Sequence, residues 1–73
     1  MVLEAVTIRE IQRIFEVTDA MGIHREMVVI PLRPRHPGRV RKMPGGKIEI
    51  VVESEGHFED WVAVLADEIR SLA

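Results

Sequence analysis

The fold of this chain is decided by residues 45–73, GGKIEIVVESEGHFEDWVAVLADEIRSLA. Ile48, Ile50 and Val52 alternate with neighbours that are mostly polar, which is the period of a strand with one face on a core. The apolar residues that follow recur at spacings of three and four, typical of one helical face: Phe58, Trp61, Val62, Leu65, Ile69 and Leu72. The stretch predicts a half-buried strand that leads into a C-terminal amphipathic helix.

A first helix is predicted near the N-terminus. Thr7 and Glu10 have the spacing of a capping box, in which each side chain bonds the backbone N–H of the other residue. Gly22 predicts the end of this helix, because glycine readily adopts the left-handed conformation that closes a last turn. The expected length is about 14 residues. Its apolar stripe consists of Ile8, Ile11, Ile14, Phe15 and Met21.

Strands are predicted between the two helices. Residues 27–32, MVVIPL, are apolar and β-branched, which favours a short strand covered on both faces and ending at or beside Pro31. Residues 33–38, RPRHPG, predict a loop. Residues 39–43 and 47–53 flank Pro44-Gly45-Gly46, a turn signal that predicts a β-hairpin.

The order of elements places the chain in the α+β class. We expect one small domain over residues 1–73, with a helix, two or three β-strands including a hairpin, and a C-terminal amphipathic helix. The sheet should be antiparallel or mixed, with the helices on one face.

Length and composition limit the classes of function. A chain of 73 residues buries only about 60% of its unfolded surface, so its stability margin is small. The absence of cysteine excludes disulfides and thiolate metal sites. Because 47% of the residues are hydrophobic, apolar surface should remain for a partner, and we predict a homo-oligomer or a protein partner. We find no membrane-spanning run and no signal peptide, and we expect a cytoplasmic protein.

Charge is divided sharply along the sequence. Residues 27–48 contain six basic residues and no acid, whereas residues 49–73 contain seven acids and one arginine. The basic residues predict an anion-binding or nucleic-acid-binding surface: Arg33, Arg35, Arg39, Arg41, Lys42 and Lys47. The alternative is that they pair with acids of the same chain or of a neighbour, or keep an edge strand soluble. The net charge of −2 and the lack of aromatic residues in this segment favour that alternative.

The last helix contains Asp67-Glu68-Ile69-Arg70-Ser71 after an alternating strand. This arrangement resembles the active-site helix of small zinc metallopeptidases of the ImmA/IrrE type, whose His-Glu-x-x-His motif holds zinc. The resemblance implies that Asp67 and Ser71 occupy the two histidine positions and that Glu68 matches the general base. A serine hydroxyl is a poor zinc ligand, so the resemblance implies a relative that has lost its metal site.

No other catalytic or cofactor motif emerges. His24, His36 and His57 share no metal-ligand spacing, and solvated or capping roles are expected for them. We predict no catalytic residue, no metal site and no cofactor. The leading hypothesis is a non-catalytic binding or interaction module that self-associates. Nucleic-acid binding by the basic segment is the alternative, and a degenerate metallopeptidase-like protein is the third.

Overall fold

The computed structural model describes residues 5–72, which form an α+β fold. The helices are α1 (Ile8–Ala20), α2 (Phe58–Ala63) and α3 (Leu65–Arg70), and the strands are β1 (Val28–Val29), β2 (Arg39–Lys42) and β3 (Ile48–Val51). A short 3-10 turn occupies Arg25–Met27, and Pro44–Gly46 form the tight turn of the hairpin, with positive φ at Gly45 and Gly46. The predicted fold class is therefore confirmed. Within residues 5–72, none of the helices has the length and apolar character that crossing a membrane requires.

Helix α1 begins at the capping box and ends before Gly22, as the sequence predicts. The Thr7 N–H donates to Glu10 Oε1 at 3.1 Å, and the Glu10 N–H donates to Thr7 Oγ1 at 3.5 Å, so the predicted capping box is confirmed. Gly22 closes the helix with φ of +76°. The predicted stripe is only partly buried: Ile14 is fully enclosed, whereas Ile8 is 73% exposed. Ile8 lies in the first turn, on a side of the helix that the core does not cover.

The three strands form a mixed sheet in the order β1-β3-β2. Strands β2 and β3 make the predicted hairpin, with Arg39 opposite Val51 and Lys42 opposite Ile48. Strand β1 pairs with β3 in parallel. The predicted strand over residues 27–32 was too long and was not covered on both faces, because β1 is a half-buried edge strand of two residues and Pro31 cannot donate to a ladder.

The C-terminal helical segment is broken at Val64, where φ is −103° and ψ is 1°. One continuous helix had been expected from the periodicity. The break preserves the predicted apolar face, since Val62, Leu65 and Ile69 are all buried. Neither glycine nor proline marks this position.

The core lies between the helices and one face of the sheet. Ile50 and Val52 point into it and are fully buried together with Ile14 and Leu65. Because successive strand residues point to opposite faces, Glu49, Val51 and Glu53 lie on the other face, which the helices do not cover. That face positions the candidate site.

Candidate anion-binding cleft

The helix-free face of the sheet contains an open cleft of about 340 Å³, and most of its lining side chains are arginines. The cleft is lined by Pro31, Arg33, Arg35, Arg39, Arg41, Glu49 and Val51. Four of the six basic residues predicted to bind an anion thus come together. Lys42 and Lys47 do not line it.

One wall of the cleft is strand β2. Arg39 pairs across the hairpin with Val51 and Arg41 pairs with Glu49, so both arginines share the face of those β3 residues. Lys42 pairs with Ile48 and therefore lies on the helix-covered face. Strand alternation separates Lys42 from its neighbour Arg41.

The opposite wall is the segment of residues 33–36, which runs beside the end of β3. The Arg35 N–H donates to the Val52 carbonyl at 3.0 Å, and the Ser54 N–H donates to the Arg35 carbonyl at 2.9 Å. These bonds form a parallel bridge between Arg35 and Glu53. Pro34 is buried. The predicted loop is therefore tied to the sheet, and Arg35 has a fixed backbone position.

Glu53 holds this wall in place through both carboxylate oxygens. Its Oε1 accepts the Gly38 N–H at 3.0 Å, and its Oε2 accepts the Glu55 N–H at 3.1 Å and lies 2.6 Å from His36 Nδ1. Burial alone would raise the pKa of Glu53, but the bonds from Gly38, His36 and Glu55 outweigh burial and lower this pKa. The hydrogen bond to Glu53, with the charges of Glu53 and Glu55, raises the pKa of His36.

Gly38 lies between the two walls and allows the chain to pass close to the end of β3. A Cβ atom at this position would lie 2.6 Å from the Glu53 nitrogen, 2.8 Å from the Glu53 Cα and 2.9 Å from Trp61 Nε1. Only glycine fits there without displacing backbone atoms. This close contact lets the Gly38 N–H reach the Glu53 side chain and holds the start of β2 beside the end of β3.

The floor of the cleft combines an apolar and a charged residue of β3. Val51 is only 6% exposed, although no helix covers it. We attribute this burial to Pro31 and to the aliphatic stems of the surrounding arginines, which cover apolar surface while their guanidinium groups stay in water. Glu49 lies beside Val51 and accepts a 2.6 Å hydrogen bond from Arg41 Nε. This bond raises the pKa of Arg41.

Three of the four cleft arginines are available to a ligand. Arg33, Arg35 and Arg39 make no ion pair with any carboxylate of residues 5–72. Among the acids of residues 5–72, the alternative that basic residues of this segment pair with acids of the same chain holds for Arg41 alone. Exposed guanidinium groups in a concave surface favour binding of phosphate or carboxylate groups.

The residues of the metallopeptidase resemblance lie elsewhere, on the exposed side of α3. Asp67 accepts a 2.7 Å bond from Arg70 Nη1, and the Ser71 hydroxyl donates to the Glu68 carbonyl at 2.7 Å. No group of three or more histidine and acidic side chains in residues 5–72 is arranged to hold a metal ion. The resemblance to ImmA/IrrE peptidases stays a hypothesis.

Sequence reasoning missed His36, Gly38, Glu49 and Glu53 as parts of the site. Glu49 could have been found, because its place in the alternating strand puts it on the face of Val51 and opposite the core. His36 and Glu53 are 17 positions apart, and nothing in their local sequence shows that they meet. Comparison with protein-family models, curated proteins and solved structures finds no match for this chain.

Proposed function

We propose that the protein is a non-catalytic binding module whose arginine-lined cleft takes the phosphate backbone of nucleic acid. The observation that supports this proposal is the convergence of Arg33, Arg35 and Arg39 around one cleft without carboxylate partners in residues 5–72. Such an arrangement places several positive charges around one concave surface, which attracts anions. The absence of cysteine fits a cytoplasmic location for this binding.

The fixed backbone of both walls supports a binding role over a solvated surface. Arg39 and Arg41 belong to a hydrogen-bonded strand, and Arg35 lies in a bridge to Glu53. Because the backbone is already ordered, ligand binding orders only the arginine side chains, which limits its entropic cost.

The experiment is a binding titration of a fluorescent oligonucleotide at several salt concentrations. Three free arginines predict a slope of log affinity against log salt of about −2 for a single strand, since each neutralised phosphate contributes about −0.7. Arg39→Gln should weaken binding and make the slope less steep by about 0.7.

The matched control is Lys42→Gln, which removes one positive charge from the same strand but from the face opposite the cleft. It should leave the affinity and the salt slope close to the wild-type values. Equal losses in Arg39→Gln and Lys42→Gln would show that net charge, not the cleft, governs binding. Absence of binding at low salt would refute the proposal.

Self-association is the second candidate, and exposed apolar side chains favour it. Ile8 is 73% exposed, Leu32 is 62% exposed and Val64 is 49% exposed. Contact with a second copy would remove such surface from water. Light scattering should then give a mass above that of the 8.3 kDa chain, and Leu32→Ser should lower this mass. A monomeric mass at micromolar concentration would contradict self-association.

A further inference from the structure

Glu49 is the one acidic side chain that lines the arginine cleft. Its Oε1 accepts the Arg41 Nε–H at 2.6 Å, and its Oε2 has no hydrogen-bond partner in residues 5–72. The side chain is 16% exposed, so part of this carboxylate remains accessible from the cleft. A negative charge between arginines requires an explanation in a site that binds anions.

A carboxylate in the floor disfavours a ligand that presents only phosphates. The charges of Glu49 and of a phosphate held between the two walls would repel each other at short range. A duplex exposes phosphates and keeps the Watson–Crick edges of its bases paired. A single strand can place its phosphates on the walls and turn a base toward the floor.

The floor offers groups that complement an unpaired base. Glu49 Oε2 can accept a hydrogen bond from an exocyclic amino group, as carboxylates do from the N4 amino group of cytosine. Pro31, which also lines the cleft and is half-buried, offers apolar contact. A uracil base presents a carbonyl oxygen at the same position, which the carboxylate would repel.

We propose that the cleft binds single-stranded nucleic acid and that Glu49 selects bases carrying an amino group, cytosine in particular. Arg33, Arg35 and Arg39 hold the phosphates, and Glu49 accepts the amino hydrogen. The assignment rests on the proposed function and adds the ligand class and a specificity-determining residue.

The experiment compares oligo-dC with oligo-dU of equal length, about eight nucleotides, by fluorescence anisotropy at neutral pH. The two probes differ at the position where cytosine has an amino group and uracil a carbonyl. Wild-type protein should bind oligo-dC about tenfold more tightly, as expected for one hydrogen bond to a charged group. Double-stranded DNA of the same length should bind more weakly than oligo-dC.

Glu49→Gln should abolish the preference, because an amide can either donate to uracil or accept from cytosine. Glu68→Gln is the matched control, since it removes the same charge from exposed α3 and should keep the tenfold ratio. Equal binding of both probes by the wild type would overturn the assignment and leave the cleft as a general backbone site. A preference that survives Glu49→Gln would equally overturn it. Absence of binding to every probe would refute the proposed function itself.

Discussion

Gly38 is the glycine of residues 5–72 at which an added Cβ atom would clash with the backbone. Gly38→Ala would place Cβ against the Glu53 backbone at 2.6 Å and 2.8 Å, so backbone atoms must move. We expect a loss of about 1–3 kcal/mol in the free energy of unfolding, as is usual for overpacked positions. Denaturation in urea measures this loss.

The control for Gly38→Ala is Gly22→Asn. Gly22 has open space around it, and asparagine tolerates its positive φ, so this change should have a small effect. Similar midpoints for the two variants would contradict the steric account of Gly38.

The His36–Glu53 pair predicts a dependence of stability on pH. The raised pKa of His36 means that its contribution is complete below the ordinary value of 6.5 and is lost as the pH rises through the raised value. The lowered pKa of Glu53 means that its contribution is present above 4.5 and is lost as the pH falls through the lowered value. The pair therefore stabilises the fold most between pH 4.5 and 6.5.

Thermal unfolding of His36→Gln tests this pH dependence. The wild-type melting temperature should fall as the pH rises above 6.5, and the variant should show a smaller fall. His24→Gln is the control, because His24 is exposed and makes no ion pair in the described chain. Identical pH profiles for the wild type and His36→Gln would contradict a role for the pair.

At this same scale, the sequence predicts the arginines of the cleft but not the residues that hold them. Charge counting finds Arg33 and Arg39 because an excess of basic residues is visible without a structure. Glu53 bonds Gly38 and His36 across 15 and 17 positions, and such contacts depend on how the chain folds back. Local patterns contain no information on that approach.

At the level of the elements, the break between α2 and α3 places a buried residue directly after an exposed one. Leu65 is fully buried and Val64 is 49% exposed. Leu65→Ala should cost about 2–5 kcal/mol through lost contacts and a cavity. Because a chain of this size is stable by only about 4–11 kcal/mol, much of its stability would be lost.

Val64→Ala is the neighbouring control for Leu65→Ala and should stay within about 0.5 kcal/mol of the wild type. Urea midpoints of the two variants provide the comparison. A large loss in Val64→Ala would mean that the break, and not burial, controls the stability of this segment.

The elements that local chemistry determines were predicted well, and those that depend on distant partners were not. The capping box of Thr7 and Glu10 and the turn after Met43 locate α1 and the hairpin. The short β1 was overestimated, because its apolar residues pair with β3 across about 20 positions and Pro31 follows at once. The break at Val64 has no local marker in the sequence.

At the scale of the molecule, the fold separates the predicted basic segment into two faces. Arg39 and Arg41 face the cleft, whereas Lys42 lies on the side of the helices. Of the six basic residues in this segment, four line the cleft. The sequence alone predicts that the surface is positively charged. The register of β2 against β3 determines which basic side chains lie on it.

The central position of β3 also determines the order in which the sheet can be assembled. In residues 5–72, both β1 and β2 pair only with β3, which follows them in the sequence. During synthesis these two strands therefore lack their partner until β3 has left the ribosome. We expect pulsed hydrogen exchange during refolding to protect the hairpin amides before that of Val29, because closing the shorter loop costs less entropy. Earlier protection of the Val29 amide would contradict this order. Until β3 pairs, the two arginine walls belong to separate, freely moving segments, and the cleft is among the last features to form.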